Sequence, residues 1–442
     1  MAPKQPMAAW SRLGLEIGYT SAMPRRDIPI LFTTRIVRLF AYGFLSVILA
    51  FYLIEVGLDE RAVGLLFTLT LAGDAGISLW LTTSADRIGR RRMLLLGALL
   101  MVLAGVVFRL TRNPLLLTAA AIIGVISPSG NEIGPFLSIE QAALTQLLPD
   151  QHRTQSFAWY NLAGSFATAT GALAGGWLAK ILQSNGWSAL AAYRTILTGY
   201  ALAGGLLMLL FLLLSPAVEA AKELKPIHRT PRQPFDKPEV TAQGRLLGLH
   251  QSRGVVAKLS ALFALDAFAG GLVIQSLMAY WFHARFGVDE GVLGSIFFGA
   301  NILAGISALL AARIAAKFGL INTMVYTHIP SSIFLMLVPL MPSLPLAIAV
   351  LLARFSISQM DVPTRQSYTM AVVAPDERSA ASGVTTIARS VGAALSPSLS
   401  GLLLSIPSLF SVPFYLCGGL KIVYDLVLYQ NFKRLKPPEE KA

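Results

Sequence analysis

A small set of charged side chains stands inside stretches of this 442-residue chain that are otherwise apolar: Arg35, Arg38, Asp74, Glu132, Glu140, Asp266, Arg354, Asp361 and Arg389. An ionised group at the centre of a bilayer costs roughly 2.5–3.5 kcal/mol on insertion scales, so each needs a partner or a function. Carboxylates in such places can carry protons. Guanidinium groups can hold an anionic solute or balance a carboxylate across a cavity.

Their spacing suggests pairings. Arg38 and Asp74 each lie about ten residues into their apolar blocks from the same side, hence roughly 15 Å deep at helical rise. An Arg38–Asp74 bridge is expected, either static or opening when Asp74 is protonated or solute binds. Asp361 and Arg365 are four residues apart, as are Lys421 and Asp425, so each pair shares a helix face. The second is read as a structural pair. Asp266 has no evident partner, and Arg354 is open to either guanidinium role.

The segment from Gly124 to Gln141 is the least helix-like of the apolar blocks. It holds Pro128, Pro135, Gly130 and Gly134, which should break or kink a helix. Broken backbone is tolerated at membrane depth only beside protein or a water-filled cavity. Asn131, Glu132, Glu140 and Gln141 would then line the break, with Glu132 the foremost candidate for a solute or proton site. Tyr42, Trp159, Tyr160 and Asn161 are candidate cavity walls, or packing.

These residues must be positioned by membrane helices. The chain is 55% hydrophobic and 13% charged, where soluble domains carry about 25% charge. Twelve apolar spans follow, at 29–54, 61–84, 93–110, 114–138, 157–182, 194–215, 257–282, 291–315, 320–341, 344–366, 381–405 and 408–430. The predicted fold class is an all-α membrane protein of two six-helix bundles. Residues 1–28 form a tail, 29–215 the first bundle, 216–256 a linker, 257–430 the second bundle, and 431–442 a second tail. The net charge of +13 falls mostly in short loops, where it sets topology and meets anionic lipid rather than nucleic acid. Asp86–Arg92 alone has four arginines. Both termini and the linker are therefore expected in the cytoplasm of a multi-pass protein of the cell membrane. No signal-peptide core is evident in the first residues. One cysteine and scattered histidines leave no disulfide framework and no metal site, and no cofactor is expected.

The halves repeat. Ala85–Ile88 aligns with Ala311–Ile314, and Pro149–Arg153 with Pro375–Arg378 at the same offset with one residue deleted. Arg313 then answers to Arg87. In the loop Asp86-Arg87-Ile88-Gly89-Arg90-Arg91, Asp86 can pair with an arginine or cap the next helix, and Gly89 permits a tight turn. Such a loop can latch a conformation, or its arginines can serve topology alone. Small residues recur in Gly171, Gly175 and Gly176, and in Gly392, Pro397 and Gly401, at spacings that let helices approach closely.

With these motifs the chain resembles the major facilitator superfamily over nearly its whole length, most of all the bacterial drug/proton antiporters. The loop matches the pattern Gly-x-Leu-Ala-Asp-Arg-x-Gly-Arg-Arg from Ala85 onward, with Thr82 at the first glycine, and Ala312 stands in the second copy. Gly171–Gly176 resembles the antiporters' Gly-Pro-x-x-Gly-Gly, with Ala172 for proline. Their span-4 arginine is absent: Ala120 precedes Gly124. The resemblance implies alternating access by two rocking halves. Spans 1, 4, 7 and 10 would line the cavity, and proton handling is expected mainly in the first half. The expected function is a monomeric, proton-coupled secondary transporter exporting a small organic solute, not an enzyme. Alternatives are a symporter or uniporter for a sugar or organic anion, or a scaffold or receptor that retains the fold.

Overall fold

The structure is a computed structural model that describes residues 26–131, 136–220, 249–433 and 435. Glu132, Gly134, Pro135, most of the linker and both tails lie outside the described residues. Among the described residues, sixteen α-helices build the twelve spans. The first bundle holds α1 (Asp27–Ser46), α2 (Leu49–Val56), α3 (Glu60–Ile88), α4 (Arg90–Leu110), α5 (Pro114–Ile123), α6 (Phe136–Leu147), α7 (Asp150–Ser184) and α8 (Ala189–Leu212). The second holds α9 (Arg253–Gly271), α10 (Gln275–Phe286), α11 (Glu290–Phe318), α12 (Leu320–Leu337), α13 (Leu344–Phe355), α14 (Asp361–Ala371), α15 (Arg378–Leu404) and α16 (Val412–Phe432). Among the described residues, nine segments are long and apolar enough to cross a membrane on their own. The all-α membrane fold expected from the sequence is the one observed. The face carrying Gly89, Pro149, Ser215, Arg253, Gly319 and Lys433 is called the linker face below.

Four spans are interrupted at their middles. The expected break in span 4 separates α5 from α6. Spans 1, 7 and 10 are also broken, between α1 and α2, α9 and α10, and α13 and α14. The break at Val47–Ile48 holds neither proline nor glycine, so composition does not announce it. Side chains of other spans satisfy the freed carbonyls, as a dry environment requires. Ser276 at the start of α10 donates its hydroxyl to Ser46 O at 2.6 Å and to Pro128 O at 2.7 Å. Ser400 caps Leu272 O at 2.6 Å, and Tyr200 caps Val125 O. Three of the breaks thus meet at one junction between the halves.

The repeat is real but in a different register at the loop motif. α3 and α11 are both 29 residues long. Each is capped by an aspartate, Asp59 or Asp289, and ends on a glycine of positive φ, Gly89 (121°) or Gly319 (85°). Gly319 is therefore the counterpart of Gly89, and Lys317, not Arg313, answers to Arg87. The sequence alignment slipped by about one helical turn because an Ala-rich stretch repeats itself at that spacing.

Glycines set the helix contacts. A Cβ on Gly171 or Gly175 would fall 2.1 Å from Phe40 O or Phe44 O, and one on Gly392 2.2 Å from Ala264 O. Between the halves, Gly176 lies against Glu290 O and Gly294, and Gly401 against Glu60 O and Gly64. The motif glycines are packing surfaces, and Pro397 offers its carbonyl to Gly64.

Candidate functional site

Helices α1, α6 and α7 assemble the first buried charge cluster. The guanidinium of Arg38 grips Glu140 through two hydrogen bonds of 2.8 Å. Both side chains are fully buried. Glu140 also accepts from Thr34 at 2.8 Å and from the Tyr160 hydroxyl. Arg38 stacks over Phe136, 4.7 Å from its centroid. One turn away, Arg35 lies 4.2 Å over the Tyr160 ring and donates to Asn161 at 3.2 Å. The expected Arg38–Asp74 bridge does not form. α1 packs mainly on α7 and α8 and meets α6 more than α3, so Arg38 reaches Glu140 on α6 instead. Asp74 instead accepts from Ser78 at 3.2 Å within α3. Asn131 is exposed, and its carbonyl accepts from Ser127 at 2.9 Å.

Asp266 organises the second cluster. It accepts from Lys421 at 2.6 Å, Arg389 at 3.0 Å and Arg365 at 3.1 Å. Arg365 also bonds Asp361 at 2.7 Å. Asp266, read from sequence as partnerless, is thus the most heavily paired carboxylate described. The expected Lys421–Asp425 pair is absent. Lys421 turns to Asp266, while Asp425 faces His328, whose Nδ1 is 3.0 Å from both of its oxygens. Span 9 supplies that histidine from α12, just before Pro330. Arg354 stands apart, over Phe355 at 4.7 Å. Its buried Nε has no hydrogen-bond partner among the described residues.

The two clusters occupy matching places. Gly43 packs on Thr168 O and Gly271 on Ala393 O. Arg38 and Asp266 each lie five residues before their glycine. Arg153 Nε donates to Thr145 O as Arg378 Nε does to Met370 O. Glu140 and Arg365 each lie five residues before those carbonyls. Arg38–Glu140 and Asp266–Arg365 are therefore one ion pair, drawn twice with its charges exchanged.

At the linker face, Arg90 bonds Asp86 at 2.8 Å, Gln146 at 3.0 Å and Val218 O at 3.3 Å. Glu219, not Asp86, caps α4 through Arg90 N. In the second half Glu377 caps the start of α9, accepting from the backbone of His250, Gln251 and Ser252. Burial pushes its carboxyl up, but the hydrogen bonds from Ser252 and the three amides outweigh it and hold the pKa at about 2.

Polar contacts between the halves, among the described residues, gather toward the other face. They are Arg61–Ser405, Thr68–Ser398, Trp177–Ser295, Lys180–Asp289, Gln183 and Tyr193 with Glu290, Tyr280–Glu60, and the Ser46–Gln275–Ser276–Pro128 junction. None joins the linker-face ends of α3, α7, α11 and α15 among the described residues.

Comparison with known proteins gives a consistent picture. A family model described as Major Facilitator Superfamily matches residues 31–357 and 259–442. The "Uncharacterized membrane protein YJR124C" of Saccharomyces cerevisiae is 32% identical over 418 residues, spanning 91% of this chain and 93% of that protein. Among solved structures, the nucleoside transporter NupG aligns with a TM-score of 0.68 at 13% identity, covering 92% of this chain and 99% of that one. A D-xylose-proton symporter aligns at 0.66 and 14%, covering 94% and 99%. At these identities the structural likeness shows the fold alone.

Proposed function

The chain belongs to the major facilitator superfamily and is a secondary transporter, and we propose that it exports a small organic solute in exchange for protons. The reading rests on one observation above others: each half buries an ion pair that ties its first span to the linker-side segment of its broken span. Such a pair is weak evidence for stability, since apolar replacements often serve as well. It makes sense as a part that changes state. A proton on the carboxylate, or a solute charge replacing one partner, releases the broken segment and lets the halves rock.

The candidates for this work are Arg38 and Glu140 in the first half and Asp266, Arg365 and Asp361 in the second. Asp74, Asn131 and Glu132 remain candidates for the path to the solute. Asp86, Arg87, Gly89 and Arg90 would latch the linker face, with Lys317 joining Arg313 as the second-half element. Basic loops on that face support its placement in the cytoplasm of a cell membrane. Antiport is supported by the glycine motif of span 5, and a monomer suffices for the mechanism.

A second reading is favoured by Arg354. A buried guanidinium nitrogen without a described partner suits an anionic solute, taken up by symport or carried by uniport. One experiment separates these outcomes. Purified protein in liposomes is offered a panel of labelled amphiphilic, sugar and organic-anion solutes under an imposed pH gradient. Gradient-driven counter-movement of solute supports export. Co-movement of an anion, abolished by Arg354→Gln, supports the second reading. No flux of any class, with folded protein, overturns both.

A further inference from the structure

The second bundle contains a titratable group that the transport reading above does not use. His328 is buried, at 4% exposure, between Asp425 on one side and Lys421 on the other. Its Nδ1 faces Asp425 at 3.0 Å, and its Nε2 lies 3.3 Å from Lys421 Nζ and 3.9 Å from Asp266 Oδ1. An ammonium has only donors. With Lys421 charged, Nε2 must be the acceptor, and the ring is neutral with its proton on Nδ1, given to Asp425.

The charge count around this ring is closed. Asp425, Lys421 and the Tyr424 ring come from α16, and Asp266 from α9. Asp361, Arg365 and Tyr368 come from α14, and Arg389 from α15. α13 brings Arg354, outside these ion pairs, and α11 brings only Arg313 and Lys317 toward the linker face. Three carboxylates balance Arg365, Arg389 and Lys421. One more proton cannot be placed without loss. On Nε2 it would point an N–H at an ammonium 3.3 Å away, and like charges at that distance in a low-dielectric interior repel strongly.

We propose that His328 and Asp425 form a proton-binding site, and that a proton arriving there drives Lys421 off His328 and so loosens its hold on Asp266. No bond other than N–H forms, and the proton comes from water. Among these side chains the more exposed are Arg389, by one-third, and Lys421, by 12%, while His328 and Asp425 are the more deeply buried. Lys421 is a positioning residue, since it passes the change to the Asp266–Arg365 pair. The inference rests on the proton-coupled reading above and places its proton in spans 9 and 12, behind the spans that meet at the central junction.

The test needs no solute. Spin labels at Thr83→Cys and Ala316→Cys, both exposed near the linker-face ends of α3 and α11, report the separation of the halves by pulsed electron resonance. The sole native cysteine, Cys417, is buried. Between about pH 8 and about pH 5.5, a range that spans histidine titration, the labelled protein should shift its distance distribution. His328→Gln should lose that shift. Lys421→Gln should lose it as well, and it leaves Asp266 paired with two arginines if the histidine variant fails to fold. An unchanged distribution in the parent protein, or the parent's shift persisting in both variants, overturns the proposal. A pH-driven shift without flux in the liposome screen would sink the transport reading instead and leave this site standing.

Discussion

The two halves solve the same problem with opposite charges. In the first, a single arginine and a single glutamate are sealed together, with a tyrosine and a threonine completing the carboxylate's hydrogen bonds. In the second, the aspartate at the corresponding place meets three cations, and the network extends to His328 and Asp425. The difference lies in redundancy. The closed pair has no second cation to fall back on: without Arg38, Glu140 keeps only the hydroxyls of Thr34 and Tyr160. A network redistributes charge, and it can accept a proton at its edge without collapsing. This moves the expected seat of proton handling from the first half toward the second.

Breaking the closed pair should produce the largest effect. Arg38→Leu leaves Glu140 uncompensated and should cost about 3–5 kcal/mol in unfolding measured in detergent, with Arg38→Leu/Glu140→Leu recovering most of it. Removing one redundant cation in the second half should cost less. Arg389→Leu leaves Asp266 with Arg365 and Lys421, so about 1.5–3 kcal/mol is expected. Equal losses would mean that the redundancy has no energetic weight. Exchanging the first pair, Arg38→Glu with Glu140→Arg, gives it the polarity of the second and should restore folding if the two sites are equivalent.

The seam between the halves offers a smaller effect. Gly176→Ala drives a Cβ into Glu290 O and should cost about 1–3 kcal/mol by overpacking. It should also widen label distances across the face opposite the linker. The smallest effect compares the caps. The Glu377 carboxyl, held at about 2, stabilises only while ionised. Its contribution is complete above the ordinary carboxylate range of about 4.3 and is lost as pH falls toward 2. Glu377→Gln should therefore lower the melting temperature at neutral pH, and the gap to the parent should close in acid.

Much of the frame was legible in the sequence. Apolar length fixed twelve spans, the Pro128 region announced the break in span 4, and the spacing of Gly171, Gly175 and Gly176 marked a packing face. Partners across helices were not legible. Pairing Arg38 with Asp74 used depth, which sequence supplies, but needed azimuth, which only packing decides. Lys421 and Asp425 do share a helix side, yet each finds a better-placed partner on α9 or α12. The break at Val47–Ile48 depends on a serine more than 200 residues away, a relation that no local pattern carries.

The glycine contacts at the seam bear on how the molecule can move. Where Gly176 meets Gly294 and Gly401 meets Gly64, bare backbone slides on bare backbone. Interlocked side chains would have to disengage tooth by tooth, each step adding a barrier. A smooth surface of hydrogens and carbonyl edges turns through small angles with little friction. In the proposed mechanism that part of the seam would serve as a bearing between the halves, turned by the charges buried on either side of it.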